Sequence, residues 1–270
     1  MAQPALSLGI SPCPNDTFIF EAWINGRLGP HAPKIISTIA DIDALNHMAE
    51  NQQPDIVKVS VFAYGRLHTT YKLLDAGAAL GRGCGPLVVA RSQGIDLADP
   101  DITIAVPGRW TTAHCLLSLS QPAAAKKIFM PFDRIMPAVV HGEADVGVIV
   151  HEGRFTYSAY GLVMVEDLGA WWETTTGYPV PLGVIVAKRS LGSETIAKVE
   201  TAIRESLRAA WENPATPRAF MRRYAAEMDE EVMQRHVELY VNQYTYDLGD
   251  EGKQAIAYLL QWAREQGLFA

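Results

Sequence analysis

His151 carries the clearest chemical promise in this sequence. It follows the short apolar run Val146-Gly-Val-Ile-Val150 and precedes Glu152, Gly153 and Arg154. A β-branched run of this kind fits a strand buried on both faces, as in a parallel sheet flanked by helices. An imidazole at its carboxyl end stands at the sheet edge where open α/β folds bind ligands. It is there a candidate proton-transfer group, because an unperturbed imidazole has a pKa of about 6.5 and is largely neutral at pH 7. The same pattern also fits a strand-end histidine bonded to a nearby carbonyl.

Three other stretches place polar groups at comparable positions. Thr111 and Thr112 open a predicted helix after Val106-Pro-Gly-Arg-Trp. The free amides and positive dipole end there can hold a carboxylate or phosphate, although a simple helix cap reads the same way. The run Asp55–Ser60 ends in Lys58, Val59 and Ser60, and Leu6–Ser11 ends in Ser11 before Pro-Cys-Pro-Asn15. Lys58 either faces a ligand or snorkels to the surface. If the carboxyl ends of two sheets meet across a cleft, these groups surround one small molecule. Ser11, Asn15 and Ser60 are then candidate donors to a developing oxyanion. Cys13 is a possible nucleophile, but a small thiol between two prolines reads more readily as buried filler.

Other chemistries find less support. His151-Glu152 begins like a zinc motif, but Phe155 stands where its second histidine belongs, and the other histidines lack ligand spacing. There is no Gly-x-Ser-x-Gly elbow. The Gly-rich turn 81–86 lacks the Lys-Ser/Thr of a phosphate loop and has Pro86 in place of the third glycine of a dinucleotide fingerprint. The expected site is a pocket for a small molecule with one base, no metal and no cofactor.

The elements that must position these groups alternate. Strands are expected at Leu6–Ser11, Lys34–Ile39, Asp55–Ser60 and Tyr71–Gly77, with helices beginning near Asn15 or Asp16, after Asp41 and at Val61. The pattern restarts at Ile102 and runs to a helix from Leu168, which predicts a second parallel sheet. Pro86-Leu-Val-Val-Ala-Arg-Ser92 is echoed by Pro181-Leu-Gly-Val-Ile-Val-Ala-Lys-Arg-Ser190. These flank a block of about 90 residues, the size of a lobe. They are expected to be two crossover strands, dividing the chain into 1–88 plus 190–270 and 89–189. From Ser193 the pattern is helical, with segments at Ser193–Glu212, Pro217–Glu227, Asp229–Tyr244 and Gly249–Gln266.

Composition narrows the class. The chain has 270 residues, 49% of them hydrophobic, and a net charge of -7. That balance argues against nucleic acid as the main partner. Cys13, Cys84 and Cys115 form no disulfide framework. No apolar run approaches the roughly 18 residues of a membrane span, and the first residues lack a secretory signal, so the expectation is a cytoplasmic protein. The sequence carries no signal for an oligomeric state.

Several motifs, in order, resemble one family. They are Ser11-Pro-Cys-Pro-Asn-Asp-Thr-Phe18, Gly81-Arg-Gly, Gly85-Pro-Leu-Val-Val-Ala-Arg91, Val106-Pro-Gly-Arg109 with Thr111-Thr112, His151-Glu with Arg154-Phe-Thr-Tyr157, and Asp167-Leu-Gly-Ala-Trp-Trp-Glu173. Together they resemble the 1,4-dihydroxy-6-naphthoate synthases, with one departure at Gly153, where serine is expected. The resemblance implies a two-lobed α/β fold of the periplasmic-binding-protein type (type II). It implies a lyase of menaquinone biosynthesis, acting in the futalosine route on cyclic dehypoxanthinylfutalosine and releasing dihydroxyacetone. It also implies His151 as base, with Lys58, Val59, Ser60, Thr111 and Thr112 holding substrate. The competing readings are the chorismate dehydratase of the same route and a non-catalytic solute-binding protein for aromatic carboxylates.

Overall fold

The computed structural model describes residues 4–123, 126–225 and 229–269. The first part alternates as expected: β1 (Leu6–Ile10), α1 (Pro14–Ile24), β2 (Ile35–Ile39), α2 (Ile42–Glu50), β3 (Ile56–Ser60), α3 (Val61–Leu67), β4 (Tyr71–Leu73) and β5 (Ala79–Gly81). The middle contains β6 (Leu87–Ala90), β7 (Thr103–Val106), α4 (Thr112–Ser120), β8 (Lys126–Phe129), α5 (Phe132–His141), β9 (Val146–Ile149), the short α6 (Gly153–Thr156), β10 (Val163–Asp167) and α7 (Leu168–Thr176). The chain ends with β11 (Val180–Lys188), α8 (Gly192–Glu212), α9 (Arg218–Tyr224), α10 (Glu230–Tyr240), α11 (Gln243–Tyr246) and α12 (Gly249–Glu265).

Among the described residues the strands form two sheets. One has the order β2-β1-β3-β11-β4, with β5 also on β11, and the other β10-β6-β9-β7-β8. Both are mixed rather than parallel. β1 runs parallel to β2 and β3, but β11 is antiparallel to β3, β4 and β5. β9 is parallel to β7 and antiparallel to β6. A strand buried on both faces has the same apolar run in either pairing, so the sequence pattern did not reveal the mixture.

The expected crossover strands each stay within one sheet. Among the described residues β6 pairs only with β9 and β10, and β11 only with β3, β4 and β5. The chain therefore passes between sheets at 82–86 and 177–179, ahead of each strand, and not at the expected 89 and 189. The first crossing is tight: a Cβ on Gly85 would lie 2.2 Å from the Cα of Gly169. Arg154 closes it by donating to the Gly85 carbonyl at 2.6 Å and to Asp167 at 2.7 Å.

Local chemistry explains the boundaries. Thr111 caps α4 through the His114 amide, and Asp41 caps α2 through the Asp43 amide. Cys13, and not Asn15 or Asp16, occupies the N-cap of α1, with Pro14 in the first turn, where a missing N–H costs nothing. The expected helix Asp229–Tyr244 breaks in two, because Asn242 starts a new cap with Thr245. Positions 226 and 227, at the end of the helix expected from Pro217, lie outside the described residues.

The C-terminal helices pack on the first sheet's side. Ser206 of α8 donates to the Ile19 carbonyl at 2.6 Å and accepts from the Trp23 amide at 3.2 Å. This polar stitch lies inside a core that includes Phe20, Ile196 and Leu207. α10 packs against α1, the helix that follows β1.

Candidate functional site

Between the sheets lies a cleft with about 670 Å³ of open space, part of it continuous with solvent. It is lined by Ser11 after β1, Lys58 and Ser60 of β3, Pro107, Thr111 and Thr112 after β7, and His151 after β9. Asn15 of α1 joins them. Seven of the eight residues singled out from sequence thus meet in one place. The exception is Val59, whose side chain is fully buried in the core beside Val57. The pleat decides this: neighbours along a strand face opposite sides, so Val59 turns away where Lys58 and Ser60 turn in.

His151 sits in the turn after β9 with φ of +57°, a left-handed conformation that costs a non-glycine residue roughly 1–3 kcal/mol. Its ring contacts Phe132 edge-on at 5.1 Å and lies nearly parallel to the ring of His236, with centroids 6.3 Å apart. The Cys13 sulfur is 3.2 Å from Nδ1 and 4.0 Å from Nε2. A sulfur on the in-plane axis of Nδ1 would be much farther from Nε2 than this. The thiol therefore lies toward the ring face and leaves both nitrogens open to a ligand. Burial, then the charges of Glu152 and Asp16, push the Cys13 thiol well above its ordinary pKa. The pair is a neutral thiol against an imidazole rather than a thiolate ready to attack. The departure at Gly153 is sterically neutral, since a Cβ there meets Ile149 at 3.5 Å and Met136 at 3.7 Å.

Several expected ligand-binding groups are already occupied. Asp16, fully buried, accepts from the Lys58 ammonium at 2.8 Å, the Ser11 hydroxyl at 2.7 Å, the Ser11 amide at 3.1 Å and the Asn15 amide group at 2.9 Å. Lys58 also donates to the Gly77 carbonyl at 3.2 Å. Ser11, Asn15 and Lys58 therefore form a frame around one carboxylate, which holds them in place. The threonine hydroxyls are committed too. Thr111 donates to the Gly108 carbonyl at 2.8 Å, and Thr112 donates across the cleft to the Leu182 carbonyl at 2.7 Å while accepting from the Phe62 amide.

What remains open is more specific. The Thr112 and Ala113 amides at the start of α4 have no acceptor among the described residues, and both residues line the cleft. Ser60 accepts from Asn46 at 3.1 Å, which leaves its own hydroxyl hydrogen free. Tyr240 lines the cleft with a hydroxyl that bonds to no described residue. Burial, then nearby Cys84, raises its pKa, so it remains a donor. A carboxylate can rest on the α4 amides while an oxyanion takes hydrogen bonds from Ser60 and Tyr240.

Sequence reasoning passed over Asp16, His236 and Tyr240. His236 and Tyr240 sit one helical turn apart on α10, a spacing that also reads as the apolar stripe of an ordinary helix. No three His, Cys, Asp or Glu among the described residues are grouped to hold a metal ion. No helix among them is long and apolar enough to cross a membrane.

Comparison with known proteins agrees with this geometry. A family model described as menaquinone biosynthesis matches residues 6–265. The 1,4-dihydroxy-6-naphtoate synthase of Streptomyces coelicolor is 45% identical over 99% of this chain and 96% of its own. That of Thermus thermophilus is 46% identical over 98% and 96%. A crystal structure of an Archaeoglobus fulgidus protein superposes with a TM-score of 0.92 at 37% identity, covering 98% of each chain. An alkanesulfonate-binding protein from Xanthomonas axonopodis superposes at 0.73 with 13% identity, covering 100% of this chain and 96% of its own, a likeness of fold alone. The fold is that of the periplasmic binding proteins, and the chain belongs to the menaquinone-biosynthesis family of 1,4-dihydroxy-6-naphthoate synthases.

Proposed function

We propose that this enzyme converts cyclic dehypoxanthinylfutalosine to 1,4-dihydroxy-6-naphthoate and dihydroxyacetone in the cytoplasm, with His151 as general base and no cofactor. The observation that carries the reading is the placement of His151. Its ring lines the same cleft as the unoccupied amides at the start of α4, which follows β7, the strand paired in parallel with β9. The substrate combines an aryl carboxylate with a ketone. The carboxylate suits the α4 amides, and the carbon acid beside the carbonyl suits a neutral imidazole. Removing that proton initiates carbon–carbon cleavage, and aromatisation of the released ring makes the sequence favourable without a change of oxidation state. A positioned base contributes roughly 10²–10⁴-fold to such a step. Ser60 and Tyr240 are the donors placed to meet the developing enolate.

The test is direct. Purified protein mixed with the cyclic futalosine derivative, without added metal or nucleotide, should produce the naphthoate. His151→Ala should lower kcat by at least about 100-fold while substrate still binds. Absence of product from the wild type refutes the assigned reaction, and near wild-type turnover by His151→Ala refutes the assigned base. Chorismate as the alternative substrate should remain unchanged.

A further inference from the structure

His236 is the second imidazole in the cleft, and its hydrogen bonding fixes its chemistry. The ring is fully buried, yet it lines the cleft. Asp16 can only accept, so the Asn15 NH₂ group must face it, at 2.9 Å. The Asn15 carbonyl oxygen therefore faces His236 Nε2, at 3.0 Å, and Nε2 must carry the hydrogen. Burial, then the neighbouring His151 and Lys58, hold the His236 pKa well below the ordinary value, so the ring is neutral. Nδ1 is left as a bare lone pair, and it has no partner among the described residues. A buried acceptor without a donor is rare in folded proteins and calls for an explanation.

The frame that produces this lone pair is costly. It runs from the buried Lys58–Asp16 ion pair through Asn15 to His236. Each member fixes the orientation of the next, and the last acceptor is left unfilled, buried within a residue that lines the cleft. The arrangement divides labour between two stacked rings. His151, open at both nitrogens, is available to move a proton. His236, too weak a base to compete for that proton, can only accept a hydrogen bond.

We propose that His236 Nδ1 accepts a hydrogen bond from a hydroxyl of the substrate's sugar-derived portion, and so positions that portion against His151. This rests on the proposed reaction, which supplies the hydroxyl-bearing fragment. With water excluded around a fully buried ring, one such bond distinguishes a polyhydroxy ligand from a plain aromatic acid.

Two substitutions separate this role from a structural one. His236→Gln keeps a donor near the Nε2 position for Asn15 but removes the Nδ1 acceptor. His236→Asn keeps an acceptor near Nδ1 but gives up the bond to Asn15. The expected result is a fall in kcat/KM of about 10- to 100-fold for His236→Gln and a smaller fall for His236→Asn. Inhibition by 2-naphthoate, which has a carboxylate and no hydroxyl, should persist unchanged in His236→Gln. Wild-type kcat/KM in His236→Gln, or a larger loss in His236→Asn, overturns the inference. So does loss of 2-naphthoate inhibition in step with kcat/KM, which would make the ring a prop for the cleft. Failure of the wild type to process the cyclic substrate would instead overturn the proposed reaction.

Discussion

Replacing Asp16 with asparagine tests the frame beneath the cleft. Asp16 and Lys58 pair at 2.8 Å with side chains 0% and 5% exposed, so neither charge is solvated. Four donors converge on the carboxylate. Asparagine keeps the shape but offers one acceptor and one donor in place of two acceptors. The Lys58 ammonium would then face only neutral oxygens, including the Gly77 carbonyl at 3.2 Å. Breaking a buried pair by removing one partner costs roughly 3–5 kcal/mol, because the surviving charge is stranded. For a chain of this size that corresponds to a melting temperature lower by roughly 6–20 °C. Lys58→Met in the Asp16→Asn background removes the stranded charge and should restore about 2 kcal/mol, a non-additivity typical of directly coupled residues. Urea unfolding of the wild type, both single variants and the double variant gives the cycle. If Asp16→Asn lies within about 1 kcal/mol of wild type, or the cycle is additive, the frame does not carry the strain assigned to it.

Three other outcomes follow from the same geometry. Thr112→Pro removes an amide at the first position of α4, where the helix tolerates proline, and Thr112→Val removes only the hydroxyl. If the amide anchors the carboxylate, KM should rise about tenfold more in the proline variant, and equal KM values would count against the anchor. Folding stability should decline below about pH 6.5 by up to about 1.4 kcal/mol per pH unit on account of His236. Its lowered pKa means that the unfolded chain binds the proton first, so stability is full above that pH and is lost as pH falls; His236→Asn should flatten this part of the profile. Finally, Cys13 should resist alkylation by iodoacetamide at pH 8 despite its position at a helix N-terminus beside an imidazole, because its thiol stays protonated and buried. Rapid labelling, read by mass spectrometry, would contradict that assignment.

Much of the cleft was legible before any coordinates, for a simple reason. Strand ends and helix starts are punctuated by local chemistry. Pro12 and Pro14 stop β1, Thr111 caps α4, and an apolar run ends at His151. In a layered α/β fold those ends gather on one edge, so residues placed there converge. The same local rule, applied to the pleat of β3, already separates Val59 from Lys58 and Ser60.

What each group does there was decided only by tertiary structure. Lys58 meets Asp16 across 42 positions, and Asn15 meets His236 across 221. No periodicity encodes such pairs, because a buried polar group takes whichever partner the packed chain brings within reach. Three of the residues expected to grip the ligand therefore grip a carboxylate of the protein, and the two crossings between sheets fall ahead of the strands that resemble each other. The sequence determined which strand ends and helix starts reach the cleft; tertiary packing added His236 and Tyr240 of α10, and long-range hydrogen bonds determined which polar atoms remain free to act in it.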